Sequence, residues 1–345
     1  MNVSEILQQA QDIIGAPHKG DKDWIIAPTD HSNKYEETAP ELAKILSSSR
    51  IQGTAKQFEG CDQEAIAAQE QFKETARRAN WAVLLTSCCG AFVFVVNVLD
   101  FPDNLEEIFF LALGVGAVII GALGTMYVNR IQAGKMLEAW MSRRAKAETH
   151  RLSLFELVTG FHDHLQTDSD IPLPLIQLEY FRRYQMDVQI AYYTNARKRH
   201  ENAAQRTLAL SSVGAFLGTI ATGLSGILGT IDPAFAGIAS AGVIGVAIST
   251  FALTQEGISP DRRNAERYER TCEALEELRK KLDDVREAAA QNNREPLEKF
   301  VLAVHEHLSL DHRQWLKTVE STQQSIASLQ DSLDNHKKSM EESEN

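Results

Sequence analysis

Four long apolar runs, none of which contains Asp, Glu, Lys, Arg or His, dominate this sequence. They occupy residues 81–99, 108–128, 208–231 and 233–253 and are 19 to 24 residues long. An α-helix needs about 20 apolar residues to cross the roughly 30 Å hydrocarbon core of a bilayer, whereas a soluble helix of this length would normally carry a charged face. The runs therefore predict four transmembrane helices. Only short gaps separate the members of each pair, so we expect two hairpins.

Lysine and arginine lie at the outer ends of the hairpins and are absent from the gaps inside them. The outer flanks at 73–78, 130–151, 197–206 and 262–270 carry 17 of these bases. An excess of Lys and Arg marks the cytoplasmic side of a membrane helix. We therefore expect a multi-pass inner-membrane protein with both termini in the cytoplasm. The N-terminus resembles no signal peptide, so the first apolar run would act as an uncleaved anchor.

Charge and cysteine usage narrow the class of protein. The 345 residues carry a net charge of −12, which argues against nucleic acid as a partner. The four cysteines have neither zinc-site spacing nor a disulfide pattern. His162 and His164 are two positions apart, as are His305 and His307, so each pair points to different faces of a helix. We expect no metal site and no cofactor.

The sequence also disfavours enzymes and ion-coupled transporters. It contains no GxxxxGK[ST], GxSxG or HExxH motif, so we predict no catalytic residues. Ion-coupled transporters usually place an ionisable side chain near the middle of the bilayer, and the four runs have none. A pore gated by an apolar constriction does not need such a group.

Short segments recur in the same order in the two halves of the chain. The matching pairs are 69–77 with 189–197, 90–92 with 214–216, 144–148 with 263–266, and 155–165 with 300–308. They predict a tandem duplication of a unit formed by a helix, a transmembrane hairpin and a helix. The expected organisation is an N-terminal cytoplasmic segment at 1–60, a first unit at 61–166, a linker at 167–174, a second unit at 175–330 and a frayed tail at 331–345.

Outside the spans, helices and breaks can be predicted from periodicity and from Gly and Pro. Residues 15–40 are predicted to form a loop, and a long helix should begin near Asp62 and run into the membrane. Residues 129–165 are predicted to form one continuous helix. The helix expected at 269–290 has an apolar seam typical of a coiled coil, and a helix break is expected near 292–296.

Motifs around the second hairpin resemble the SLATT superfamily, the SMODS and SLOG-associating two-transmembrane effector domains. The residues that carry the resemblance are Asp187, Gln189, Tyr192, Tyr193, Arg263, Glu266 and Trp315, and the first unit has a degenerate copy with Trp140, Arg144 and Glu148. The i to i+4 spacing of Arg144 and Glu148 allows an ion pair. We expect these residues to make cytoplasmic contacts between helices.

The resemblance implies a membrane effector of prokaryotic conflict systems. Such proteins are viewed as forming pores or disrupting the membrane after a partner, often a nucleotide-second-messenger synthase or sensor, signals infection. This chain departs from the family pattern because it has two hairpins and no recognisable synthase or sensor domain. Any trigger would have to come from a separate signalling or sensor protein or from a ligand.

Small residues cluster in the third and fourth runs. The candidate residues for a pore or for helix packing are Gly214, Gly218, Thr219, Thr222, Ser225, Gly242 and Gly245. Small side chains let helix backbones approach each other in lipid, and the hydroxyl groups could face water. The pattern fits both a pore-lining helix of an oligomer and tight packing of a four-helix bundle, and the two are compatible.

These observations together predict an all-α integral membrane protein with two transmembrane hairpins and a long cytoplasmic helical bundle. The leading hypothesis is an antiphage effector that forms homo-oligomers and permeabilises or depolarises the inner membrane on a cytoplasmic signal. One alternative is a non-conducting scaffold that recruits a soluble partner, and another is a constitutive channel. The basic flanks at 197–199 and 262–263 are expected to set topology, although they could also bind a nucleotide or anionic lipid.

Overall fold

The computed structural model describes residues 2–15, 26–98, 103–160, 170–230, 238–317 and 322–331, with side-chain environments given except at 94–98, 103–106, 238, 240 and 311–317. Within these ranges all regular secondary structure is helical and no strand occurs. The prediction of an all-α fold is therefore confirmed. Residues 167–169 of the predicted linker and 332–345 of the predicted tail lie outside the described residues.

Three short helices precede the first long one. Helix α1 (Val3–Ile14) is closed by a capping box in which the Asn2 side chain accepts from the Ser4 amide at 2.6 Å and Glu5 accepts from the Asn2 amide at 2.9 Å. Helices α2 (Pro28–Tyr35) and α3 (Pro40–Leu46) both begin with proline, whose fixed φ suits the first helical position. The prediction of a loop at 15–40 is therefore wrong for α2.

The next three helices contain the first predicted hairpin. They are α4 (Ser49–Val98), α5 (Asp103–Ala133) and α6 (Met136–Gly160). Helix α4 begins before Asp62, the predicted start. The continuous helix predicted at 129–165 is wrong because Gly134 and Lys135 form a turn, with Lys135 in the left-handed region at φ 46°. A glycine followed by a left-handed residue is typical of a helix C-terminus.

The second half contains the remaining helices and one π-helical segment. They are α7 (Leu173–Phe181), the π segment (Arg182–Asp187), α8 (Val188–Leu228), α9 (Ile238–Ile258), α10 (Asp261–Arg279), α11 (Leu282–Ala290), α12 (Glu295–Lys317) and α13 (322–331). The break predicted near 292–296 is confirmed, with Asn292 at φ 59°. The single helix predicted at 269–290 is interrupted between α10 and α11.

The chain forms two compact units. The core unit comprises Met1–Ala67, Trp140–Arg199 and Asn264–Lys317, and the hairpin unit comprises Ala68–Ala139, His200–Arg263 and Thr318–Asn345. The core unit is built around a buried cluster of aromatic and aliphatic side chains that includes Tyr180 and Phe181. The apolar seam of α10 and α11 is part of this cluster, so it packs within the chain. The division into tandem units at 61–166 and 175–330 remains a prediction.

Three helical stretches, Glu107–Ala133, Leu173–Leu228 and Ala241–Arg279, each contain a segment long and apolar enough to cross a membrane. They include all of the predicted span at 108–128, residues 208–228 of the span at 208–231 and residues 241–253 of the span at 233–253. The first predicted span ends α4, where side chains from residue 94 onwards are not described, so a total of four spans remains a prediction.

The surface of the hairpin unit supports the membrane assignment. Large apolar side chains that are more than half exposed include Ile108, Leu111, Leu208, Phe216 and Leu253. A soluble protein rarely exposes so much contiguous apolar surface, whereas lipid solvates it. The chain is therefore a membrane protein.

Candidate functional site

Four glycines bring α8 and α9 into backbone contact within the hairpin unit. We call Gly214, Gly218, Gly242 and Gly245 the glycine seam. A Cβ atom placed on Gly214 would lie 2.7 Å from the carbonyl oxygen of Gly245, and one on Gly242 would lie 3.3 Å from that of Gly218. The contacts run in opposite directions along the two helices, so α8 and α9 are antiparallel. Only residues without a side chain permit this approach.

The predicted hydroxyl residues bond mainly to their own helix. Thr222 donates to the Gly218 carbonyl at 2.8 Å and borders the glycine seam, and Thr219 donates to the Ala215 carbonyl at 2.9 Å. Ser225 lies one turn beyond Thr222 on α8 and is half-buried. The hydroxyl groups of Ser211 and Ser249 add a bond of 3.1 Å between α8 and α9.

One polar residue that sequence reasoning missed joins α4 to α9 in the hairpin unit. The Asn80 side chain is almost fully buried and donates to the Phe251 carbonyl at 3.1 Å. The rings of Trp81 and Phe251 lie 4.8 Å apart at the same level. Helix α4 also contacts α5, since a Cβ atom on Gly121 would lie 3.8 Å from the Thr86 hydroxyl. In the sequence, the signal for this contact was an amide residue directly before an apolar run.

Arg144 is the centre of a charged cluster in the core unit. Its guanidinium contacts the carboxylates of Asp62 and Glu148, each at 2.6 Å, so the ion pair expected from the i to i+4 spacing is present. Burial acts to lower the pKa of Arg144, but the surrounding Glu148, Tyr192, Asp62 and Tyr193 together raise it. The motif residues of the first predicted unit thus lie beside those of the second.

The two adjacent tyrosines of the motif form an aromatic group with Tyr268 of α10. Ring centroids are 5.3 Å apart for Tyr192 and Tyr193, and 5.5 Å apart for Tyr193 and Tyr268. The Arg267 guanidinium lies 4.8 Å from the centre of the Tyr268 ring, a distance typical of a cation–π contact. This group fixes α10 against the start of α8 inside the core unit.

Asp187 belongs to a buried ion network in and beside the π segment. Arg182 contacts Asp187 at 2.8 Å and Glu179 at 2.7 Å, and Arg286 of α11 contacts Glu179 at 2.6 Å. Arg182 also donates to the Gly15 carbonyl at 2.9 Å. Sequence reasoning missed Glu179, Arg182 and Arg286, although charges inside the apolar stretch from Leu173 were a signal that tertiary partners exist.

The other predicted motif residues are dispersed. Gln189 is buried in the core unit, Trp140 is half-buried there, and Glu266 contacts Arg270 at 3.9 Å. Arg263 is exposed in the hairpin unit, and Trp315 lies in α12, where side chains are not described. Among the residues that the structure describes, no group of three or more His, Cys, Asp or Glu side chains could hold a metal ion.

The contacts described above are of two kinds, close packing of helices and pairing of charges. In the core unit, buried charges are held in ion networks, and in the hairpin unit the helices join through glycine and through amide and hydroxyl groups. Buried networks of this kind fix a single helix arrangement, because a charge left without its partner in a low-dielectric interior costs several kcal/mol, about 3–5.

A family profile described as SLATT_1, SMODS and SLOG-associating 2TM effector domain 1, matches residues 181–315. The match begins at the last residue of α7, includes the π segment and α8 to α11, and ends within α12, so it contains the glycine seam and one hairpin. No curated protein and no solved structure matches the chain. Residues 181–315 are therefore similar to the SLATT family, which is described as two-transmembrane effector domains that associate with SMODS and SLOG proteins.

Proposed function

We propose that this protein is a non-enzymatic membrane effector that assembles into homo-oligomers and permeabilises or depolarises the bacterial inner membrane in antiphage defence. Both termini lie in the cytoplasm, and the signal comes from a separate sensor protein or ligand. The proposal rests first on the SLATT domain, whose family description is that of an effector. The two transmembrane helices of that domain, packed through the glycine seam, are the part that acts on the membrane.

The observation that carries assembly is a second row of small residues on α8. Thr219, Gly223 and Gly226 share a helix face because they are four and three positions apart. A Cβ atom on Gly223 or Gly226 would meet nothing within 4 Å. The glycine seam is occupied by α9 of the same chain, whereas this row, which we call the outer stripe, has open space beside it. Small residues in lipid allow a helix of another copy to approach.

The exposed apolar side chains around the outer stripe are consistent with either lipid or another copy as the neighbour. Phe216 and Ile227 are each more than half exposed on α8. Assembly through the outer stripe would place the Thr219 hydroxyl between copies. A change in the packing of such an assembly could open a path for ions without any ionisable group inside the membrane.

The test uses bacteria that carry this chain with its neighbouring genes and are challenged with phage. We expect the wild-type protein to allow uptake of a membrane-impermeant dye, and the Gly223→Val, Gly226→Val double variant to prevent it while the monomer still folds. The matched control is Gly53→Val with Gly60→Val, two glycines of α4 in the core unit whose Cβ atoms would also meet nothing within 4 Å.

The outcome distinguishes an effector from a scaffold. Uptake in the wild type and in the control, but not in the outer-stripe variant, supports assembly through α8. An intact membrane under full activation contradicts the proposal and favours a non-conducting scaffold. Uptake in uninfected cells that no trigger alters favours a constitutive channel.

A further inference from the structure

A groove between α4 and α5 of the hairpin unit has one charged end and one apolar wall. Its volume is about 480 Å³, which is within the range of sites that bind small molecules. The charged end is formed by Glu74, Arg77, Arg78 and Tyr127, and the apolar wall includes Leu85 and Leu123. The groove lies where the basic flank of α4 meets its apolar run, next to the corresponding end of the α5 span.

The charged end has a surplus of positive charge. Both Arg77 and Arg78 pair with a single acid, Glu74, and their side chains remain 60% and 57% exposed. Hydrogen bonds to Glu74, above all, and to the Tyr127 hydroxyl raise the pKa of Arg78. A guanidinium has five donors, so one shared carboxylate leaves donors of both arginines available to a further anion.

The rest of the groove suits an acyl chain. Leu85 and Leu123 are each more than 40% exposed, and Ile120 also lines the groove. Trp81 lines the groove between its charged and apolar parts and is 47% exposed. Tryptophan and tyrosine are enriched at the membrane–water boundary, so Trp81 and Tyr127 place the charged end at the depth of lipid headgroups.

We propose that this groove is a binding site for an anionic phospholipid, with the phosphate held by Arg77 and Arg78 and one acyl chain lying along Leu85, Ile120 and Leu123. The surplus positive charge selects an anionic headgroup over a zwitterionic one, because the zwitterion brings its own cation towards the arginines. The apolar wall selects a lipid over free phosphate. Basic pockets between transmembrane helices are known to bind such headgroups.

The test measures lipid binding to the purified full-length protein. In detergent, native mass spectrometry compares phosphatidylglycerol with phosphatidylcholine of the same acyl chains, and inorganic phosphate is titrated separately. We expect preferential retention of phosphatidylglycerol and no retention of inorganic phosphate. Arg77→Gln alone should weaken phosphatidylglycerol binding about fivefold and Arg77→Gln with Arg78→Gln about 25-fold, since each base near a membrane surface contributes about that factor.

Two further double variants test whether lipid binding requires the arginines of the groove. Arg77→Lys with Arg78→Lys preserves the charge that sets topology but removes the planar donor fork, so phosphatidylglycerol binding should weaken by less than in the glutamine variant. Arg130→Gln with Arg206→Gln removes two exposed bases of the hairpin unit that do not line the groove and should leave binding unchanged.

Three results would overturn the proposal. One is equal retention of phosphatidylglycerol and phosphatidylcholine by the wild-type protein. A second is an equal loss of binding in the Arg77→Gln, Arg78→Gln variant and in the Arg130→Gln, Arg206→Gln control. That result would mean that basic charge in general attracts the lipid. A third is tight binding of inorganic phosphate alone, which would assign the arginines to a soluble anion. None of these readouts depends on membrane permeabilisation.

Discussion

Replacing Gly245 by alanine is expected to separate α8 from α9. An added Cβ atom would lie 2.6 Å from the Gly214 carbonyl oxygen and 2.8 Å from the Gly218 Cα atom, and would also overlap the Gly218 amide. Favourable separations between non-bonded carbon atoms are about 3.5–4.0 Å. All of these neighbours are backbone atoms, so they cannot rotate away, and the helices must move apart by about 1 Å.

The expected cost follows from overpacking and helix propensity. Inserting a methyl group into a well-packed interface costs about 1–3 kcal/mol, while alanine in place of glycine in a helix returns about 0.5–1 kcal/mol. Gly245→Ala should therefore lower the free energy of unfolding by about 1–2 kcal/mol. The matched control is Gly223→Ala on α8, where a Cβ atom meets nothing within 4 Å, and where the same change should be neutral or slightly stabilising.

The measurement is reversible unfolding of the purified protein in mixed micelles, followed by far-UV circular dichroism as a denaturing detergent is added. We expect a lower midpoint for Gly245→Ala than for the wild type, and an equal or higher midpoint for Gly223→Ala. Equal midpoints for the two variants would refute the close approach of α8 and α9, and with it the interpretation of the glycine seam as a packing surface.

Three further predictions concern the core unit. Glu179→Gln leaves buried Arg182 and half-buried Arg286 without their shared carboxylate, so the free energy of unfolding should fall by about 3–5 kcal/mol. Glu277→Gln, which breaks an exposed pair, should cost less than about 1 kcal/mol by the same denaturation assay. Arg144→Met should cost about 2–4 kcal/mol because Asp62 loses its cation and Glu148 keeps only Arg151, whereas Arg143→Met, at an exposed pair, should be near neutral. Burial, partly opposed by Glu156, lowers the pKa of His305. The unfolded chain therefore binds a proton at this histidine below about pH 6.5, where the native state does not yet bind it. The free energy of unfolding should fall as the pH is lowered from about 6.5 towards the folded-state pKa. That fall should be smaller in His305→Gln, and an unchanged pH profile in this variant would contradict the assignment.

The membrane helices could be predicted from sequence because the bilayer imposes a length and a composition on each span. The uncharged residues 108–128, 208–228 and 241–253 lie in helices that can cross a membrane. The small residues at Gly214, Gly218, Gly242 and Gly245 indicated close helix contact, but not whether the partner helix belonged to the same chain. The identity of the partner helix depends on the helix register that brings Gly214 to Gly245. No short sequence motif encodes that register.

The charged network of the core unit could not be predicted because its partners are far apart in sequence. Glu179 and Arg286 are separated by 107 positions. The local sequence around Glu179 predicts an exposed carboxylate, whereas in the structure Arg286 of α11 pairs with it. The turn at Gly134 and Lys135 was missed for a different reason. The interruption between α5 and α6 is only two residues long, so periodicity alone predicts one continuous helix.

The proposed function is tested most directly by the membrane potential of living bacteria that express the wild-type chain with its neighbouring genes. A voltage-sensitive dye would be followed with and without phage challenge, with the protein confirmed in the inner membrane. We expect a stable membrane potential before challenge and depolarisation after it, and we expect the outer-stripe variant to lose this depolarisation. A potential that stays intact through phage challenge would contradict a permeabilising effector.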